Sequence, residues 1–109
     1  MTTPRPGRPV RGSTTGSQLM AALDLLGRRW ALRVLWELRD GAVGARALLD
    51  RCDGLSSSVL YTRLRELEDA GLVDRHDDGW VLTDLGADLG ASLAPLDAWA
   101  RRWASSRPT

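Results

Sequence analysis

The sequence predicts a mainly α chain that carries one small β hairpin. Three observations carry that expectation. Leucines recur at helical spacing in several separate stretches, and glycines punctuate those stretches. Late in the chain, an Asp-Asp-Gly segment separates two short apolar runs, which is a hairpin signal. With 109 residues and 43% hydrophobic side chains, there is material for one compact domain and its core.

The elements follow in order. Residues 1–16 are rich in Pro, Gly, Thr and Arg without apolar periodicity, and read as a flexible arm carrying Arg5, Arg8 and Arg11. A first helix is expected over 18–26, with Leu19, Ala22, Leu23 and Leu26 at helical spacing and Gly27 as its stop. A second spans 30–39, where Leu32, Leu35, Trp36 and Leu38 give a broad apolar face, with Trp30 and Trp36 assigned to the core. A third, short helix covers 45–52, and Asp53-Gly54 is a turn. Ser56 then caps the most regular helix, because its hydroxyl can accept from a free backbone N–H of the first turn. Leu60, Leu64 and Leu67 form its buried stripe, and Gly71 is its left-handed C-cap. Residues 72–76 and 80–82 are expected as strands around an Asp77-Asp78-Gly79 turn, with Trp80 at the base of the hairpin. Thr83 caps a last helical region in which Leu85, Leu89, Leu93, Leu96, Ala100 and Trp103 keep helical spacing. Pro95 is expected to kink or split it. The domain is placed at 17–104, with 105–109 as a tail. Three helices, a turn-linked fourth element and a hairpin give the outline of a winged helix-turn-helix.

In that fold the second helix of the motif presents its outer face to base edges in the major groove. Opposite the leucine stripe lie Ser57, Ser58, Tyr61, Thr62 and Arg65, hydroxyls, a phenol and a guanidinium suited to phosphate oxygens and base edges. Glu66, Glu68 and Asp69 are expected to face away from the phosphates or to mark the solvent side of the far end. On its own, such a surface is also what the solvated face of any amphipathic helix looks like; the hairpin attached through Gly71-Leu72-Val73 shifts the balance toward DNA.

The segment 22–35, with Leu26-Gly27-Arg28-Arg29-Trp30 at its centre, resembles the opening of HxlR-type regulators, part of the MarR-like winged-helix group. Gly54-Leu55-Ser56, the segment 60–68, Gly71-Leu72-Val73-Asp74-Arg75 and Leu82-Thr83-Asp84-Leu85-Gly86 extend the resemblance over roughly residues 18–103. It implies a homodimer built through the first and last helices, and two recognition helices reading a palindromic operator in double-stranded DNA. It also implies DNA contact at Ser56, beside Ser57, Ser58, Tyr61, Thr62 and Arg65; because that face is only lightly cationic, Arg28 and Arg29 are added to the DNA-contact set as a source of affinity. Three departures stand out. Ser17 occupies the place where many members carry a cysteine ahead of the first helix, some of them using it as a sensor. Gly44-Ala45 and Ala47 replace an Arg-Phe pair and a Glu at the third helix. The hairpin is short, and its acidic tip, Asp77 and Asp78, should repel phosphates. The arginine-containing arm is the expected compensation, and deleting residues 1–12 is expected to weaken binding and flatten its salt dependence.

Several side chains carry two readings. Cys52 is a small core residue or a relocated redox switch. His76 is a solvated hairpin residue or, less naturally, a metal or pH-sensing group. Trp30, Trp99 and Trp103 are core and dimer-interface residues or the lining of an inter-subunit pocket for a small, flat aromatic ligand. A net charge of +1 does not demand a non-specific polyanion binder. No membrane-length apolar run or signal peptide is present, so a cytoplasmic location is expected. One His and one Cys, without a phosphate loop or paired carboxylates, argue against an enzyme, and no cofactor or metal is expected. The expected function is sequence-specific transcriptional regulation, with repression by promoter blocking. The alternative is a winged-helix module that has lost DNA and binds a protein or small molecule.

Overall fold

The computed structural model describes residues 3–7 and 17–106. Among them the order is α1 (Gln18–Leu26), α2 (Ala31–Glu37), α3 (Ala45–Arg51), α4 (Ser57–Asp69), β1 (Val73–His76), β2 (Gly79–Leu82) and α5 (Asp84–Ser106). This is a winged helix-turn-helix.

Local chemistry sets most boundaries. Ser17 caps α1, its Oγ accepting from the Met20 N–H at 3.4 Å. The residue at which the resemblance leads one to expect a cysteine is here a helix cap. Ser56 does the same for α4, accepting from the Val59 N–H at 3.3 Å. Helix α4 ends in a two-bond C-cap: Leu72 N–H donates to the Leu67 carbonyl and Gly71 N–H to the Glu68 carbonyl, with Gly71 at φ +82°. Helix α2 starts one residue later than expected because Trp30 sits in the left-handed region at φ +76°.

The core is continuous. Val34, Leu38, Leu48, Cys52, Leu60, Leu64, Leu67 and Val73 are its fully buried members, drawn from α2, α3, the following turn, α4 and β1. The apolar faces of α1 and α2 are only half used. Ala21 and Leu25 are buried, whereas Leu19 and Leu23 are 63% and 53% exposed. Trp36, expected in the core, is 44% exposed, and the Arg39 guanidinium lies 4.0 Å from its ring centre. An apolar stripe wider than the core's contact surface leaves its margins in water; periodicity alone does not say which margin.

The hairpin pairs Val73 with Leu82 through His76 with Gly79, so its loop is Asp77-Asp78 alone and Gly79 belongs to the strand. Val43, in the α2–α3 connection, adds a bridge to Trp80, with N–H to O distances of 3.0 and 2.9 Å. A Cβ on Gly79 would lie 2.5 Å from the Val43 carbonyl carbon, and Gly79 adopts φ +126°. Glycine is therefore required both for the turn's exit and for the approach of the Val43 backbone.

Thr83 and Gly86 join α5 to the wing. Thr83 Oγ1 donates to the Gly71 carbonyl at 2.6 Å and accepts from the Gly86 N–H at 3.1 Å. Helix α5 then runs unbroken through Pro95 to Ser106, past the expected domain end. Pro95 removes one N–H but does not split the helix. Leu85, Leu96, Trp99 and Trp103 on α5 are exposed. No helix is long and apolar enough to cross a membrane among the described residues.

Candidate nucleic-acid interface

The turn between α3 and α4 is built around Gly54, at φ +89°, and Leu55, which is buried. With the leucine stripe of α4 facing the core, its first turns project outward. Ser56, Ser57, Ser58, Tyr61, Thr62 and Arg65 are all exposed, so the structure brings this part of the expected set onto one surface.

Their hydroxyls are not equivalent. Ser56 Oγ is occupied by the cap and lies 3.3 Å from Ser58 Oγ. Thr62 Oγ1 donates back to the Ser58 carbonyl at 2.9 Å. Ser57, Tyr61 and Arg65 stand at i, i+4 and i+8, which places them along one edge of the helix. These three offer a small hydroxyl, a flat phenol and a guanidinium, the last able to make a bidentate bond to guanine.

Arg28 and Arg29 part company. Arg29 is exposed, its guanidinium 5.7 Å from the Trp30 ring centre. Arg28 is 9% exposed and forms an ion pair with Glu66, so its expected role as a DNA contact is corrected. Glu66, expected to face away from the phosphates or to mark the solvent side, is largely buried, its side chain 11% exposed. Its second carboxylate oxygen takes Arg63 at 2.6 Å, and Arg63 Nε–H donates to the Arg29 carbonyl at 2.7 Å. Burial and the nearby Arg28 charge both lower the Arg63 pKa from its ordinary value. Sequence reasoning missed this network because Arg63 and Glu66, three residues apart on a helix, look like an ordinary surface pair.

The remaining expectations fall as follows. Arg5 pairs with Asp69 at 2.7 Å, in the last turn of α4 and at the opposite end from Ser56; Arg8 and Arg11 lie outside the described residues. Asp77 and Asp78 are exposed at the wing tip. Cys52 is fully buried, and desolvation pushes its thiol pKa up, with Glu37 adding to the rise while Arg33 and Arg51 oppose it. His76 is exposed. Trp30 packs against the core with its ring toward Gly54. Trp99 and Trp103, half exposed, stack on each other with ring centres 5.7 Å apart. An apolar groove of about 650 Å³ runs between α2 and α5, lined among others by Leu32, Trp36, Leu93 and Leu96 and rimmed by Arg39.

Comparison with known proteins agrees with this geometry. The model of the HxlR-like helix-turn-helix family matches residues 25–108. The HTH-type transcriptional regulator YvaP of Bacillus subtilis is 32% identical over 89 residues, spanning 75% of this chain and 82% of its own. The crystal structure of quinone-bound YodB from the same organism is 30% identical, with a TM-score of 0.73 over 78% of this chain and 97% of that one. A MarR-family transcriptional regulator from Enterococcus faecalis has a TM-score of 0.70 at 29% identity, over 86% and 94% of the two chains.

Proposed function

The chain belongs to the HxlR-like helix-turn-helix family of transcriptional regulators, and from that premise we propose that it is a homodimeric repressor that binds a palindromic operator. The observation that carries the reading is the outer face of α4: an exposed Ser57-Tyr61-Arg65 edge on a helix whose other face is locked into the core. A helix so braced can enter a major groove without rearranging. Exposed leucines on α1 and the Leu85, Leu96, Trp99 and Trp103 series on α5 supply the apolar area for pairing two copies. Two copies related by a two-fold axis read an inverted repeat. Repression follows if the operator overlaps a promoter.

Ligand control has a candidate place in the α2–α5 groove, which is apolar and roomy enough for a flat aromatic molecule. The similarity to quinone-bound YodB supports that class of ligand. A non-covalent mode is the one proposed, since the single cysteine of the sequence, Cys52, is fully buried. The second reading, a module that no longer binds DNA, draws on the acidic wing tip. Selection from random-sequence duplexes with the purified chain separates them. The repressor reading expects an enriched inverted repeat whose half-sites lie about one helical turn apart. Enrichment of no sequence in modest salt would sink it.

A further inference from the structure

The short connection between α1 and α2 touches the recognition helix at two points and the turn before it at a third. Arg28, which directly follows the C-cap of α1, is paired with one carboxylate oxygen of Glu66. The Arg29 carbonyl accepts from Arg63 Nε–H at 2.7 Å, and Arg63 also holds the other oxygen of Glu66 at 2.6 Å. The Trp30 ring faces Gly54, in the turn that launches α4; a Cβ there would lie 3.9 Å from it. Trp30 achieves this in a left-handed conformation, the only non-glycine residue with positive φ among the described residues.

We propose that Glu66, gripped by Arg28 and Arg63, is a positioning residue that fixes the recognition helix against the α1–α2 elbow and so sets DNA sequence discrimination. The proposal rests on the DNA-binding reading above. Its physical basis is that a buried ion pair is a poor source of stability but a demanding geometric constraint. Leu60, Leu64 and Leu67 hold α4 to the core, yet a leucine stripe tolerates small rotations and slides. A carboxylate held at both oxygens by two guanidiniums does not, because either oxygen losing its partner leaves charge in a desolvated place. The second consequence is directional. The elbow continues α1, whose exposed Leu19 and Leu23 form an unpartnered apolar edge, so displacement of α1 is passed to α4 through Arg28.

The test compares Arg28→Met, Glu66→Gln and Arg28→Lys with the wild-type chain. Each is titrated against a duplex selected with the wild-type chain and against a scrambled duplex of the same composition, over a salt series. Active fraction and Tm are measured alongside. The positioning role expects Arg28→Met and Glu66→Gln to lose about tenfold or more in affinity for the selected duplex. Affinity for the scrambled duplex and the slope of log K against log salt stay unchanged, and Arg28→Lys recovers most of the loss. A direct phosphate contact by Arg28 gives the opposite pattern: both duplexes weaken alike and the slope falls by about one. That pattern, or wild-type discrimination in the two neutralising variants, overturns the proposal. If Arg28→Met fails to fold, Arg63→Met, which leaves the Arg28–Glu66 pair in place, is read by the same criteria. A wild-type chain that enriches no duplex defeats the DNA-binding reading first, and this role with it.

Discussion

Gly86 has no room for a side chain. A Cβ there would lie 2.1 Å from the Leu72 carbonyl oxygen and 3.3 Å from the Leu82 side chain. The nearer atom is backbone and is fixed by the Thr83 N–H donating to it at 3.0 Å. Gly86→Ala is therefore expected to destabilise the fold by about 1–3 kcal/mol, the usual range for overpacking, and thermal or urea unfolding measures it. Cys52 is the complementary case, a side chain that fits and is sealed in. Its raised pKa gives a definite sign. The unfolded chain deprotonates at the ordinary thiol pKa while the folded one resists, so stability is full below that value and falls as pH rises through it. Urea midpoints should drop between about pH 8 and about pH 10, and the slope should vanish in Cys52→Ala. Native protein should likewise resist a bulky thiol reagent and keep its DNA affinity after diamide treatment. Rapid labelling, or release from DNA by diamide, would contradict the buried-thiol account.

At the level of elements, α5 shows how far a sequence reads and where it stops. Its helical leucine spacing and its Thr83 cap are local properties, so the helix itself was legible. Its continuity through Pro95 was not, since a long packed helix can absorb one lost N–H that an isolated one would not. Helices α1 and α4 follow the same rule: Gly27, Ser56 and Gly71 mark their ends because capping needs only neighbours. What periodicity could not choose was which side of a wide apolar stripe meets the core, so Trp36 was misplaced. It also could not see the Val43–Trp80 bridge or the Arg28–Glu66 pair, each joining residues more than thirty positions apart. On the candidate interface, the α4 hydroxyls and Arg65 were legible from helical geometry, and Arg28 was not. The exposed Trp99–Trp103 stack leads to an element-scale prediction. Trp99→Glu with Trp103→Glu is expected to shift a dimer to monomer in sedimentation or light scattering, with little loss of helicity. An unchanged dimer would place the interface elsewhere.

Across the whole molecule, exposed cations stand on both sides of α4 in the chain, Arg46 in the first turn of α3 and Arg75 on β1. The exposed cations named for the interface are Arg29 and Arg65, while Arg28 and Arg63 are spent on Glu66 and Arg5 on Asp69. On the proposed homodimer reading, two copies acting together and their groove contacts are expected to add to what these cations supply. Replacing Arg65 by alanine is expected to cost about 1–3 kcal/mol on the selected duplex and to relax its preference at one base position. Arg29→Ala should weaken all duplexes alike and lower the salt slope by about one. A base-specific effect from Arg29, or a uniform one from Arg65, would reverse these assignments.

The contact between Gly86 and Leu72 also has a mechanical meaning. It pins α5 at its base, beside the wing; Leu89, one turn on, still packs on the core, and from there to Trp103 the helix runs roughly 21 Å at the α-helical rise. A helix held at its first turns and exposed at its tip has the proportions of a lever. A tilt of about 5° there sweeps the tryptophan end through about 2 Å over that arm. If two copies are clamped tip to tip, that sweep reappears as a change in the gap between their recognition helices. A small wedge near the fulcrum, in the groove beside Gly86, Leu89 and Gly90, would then suffice to take the pair out of step with the turns of the double helix.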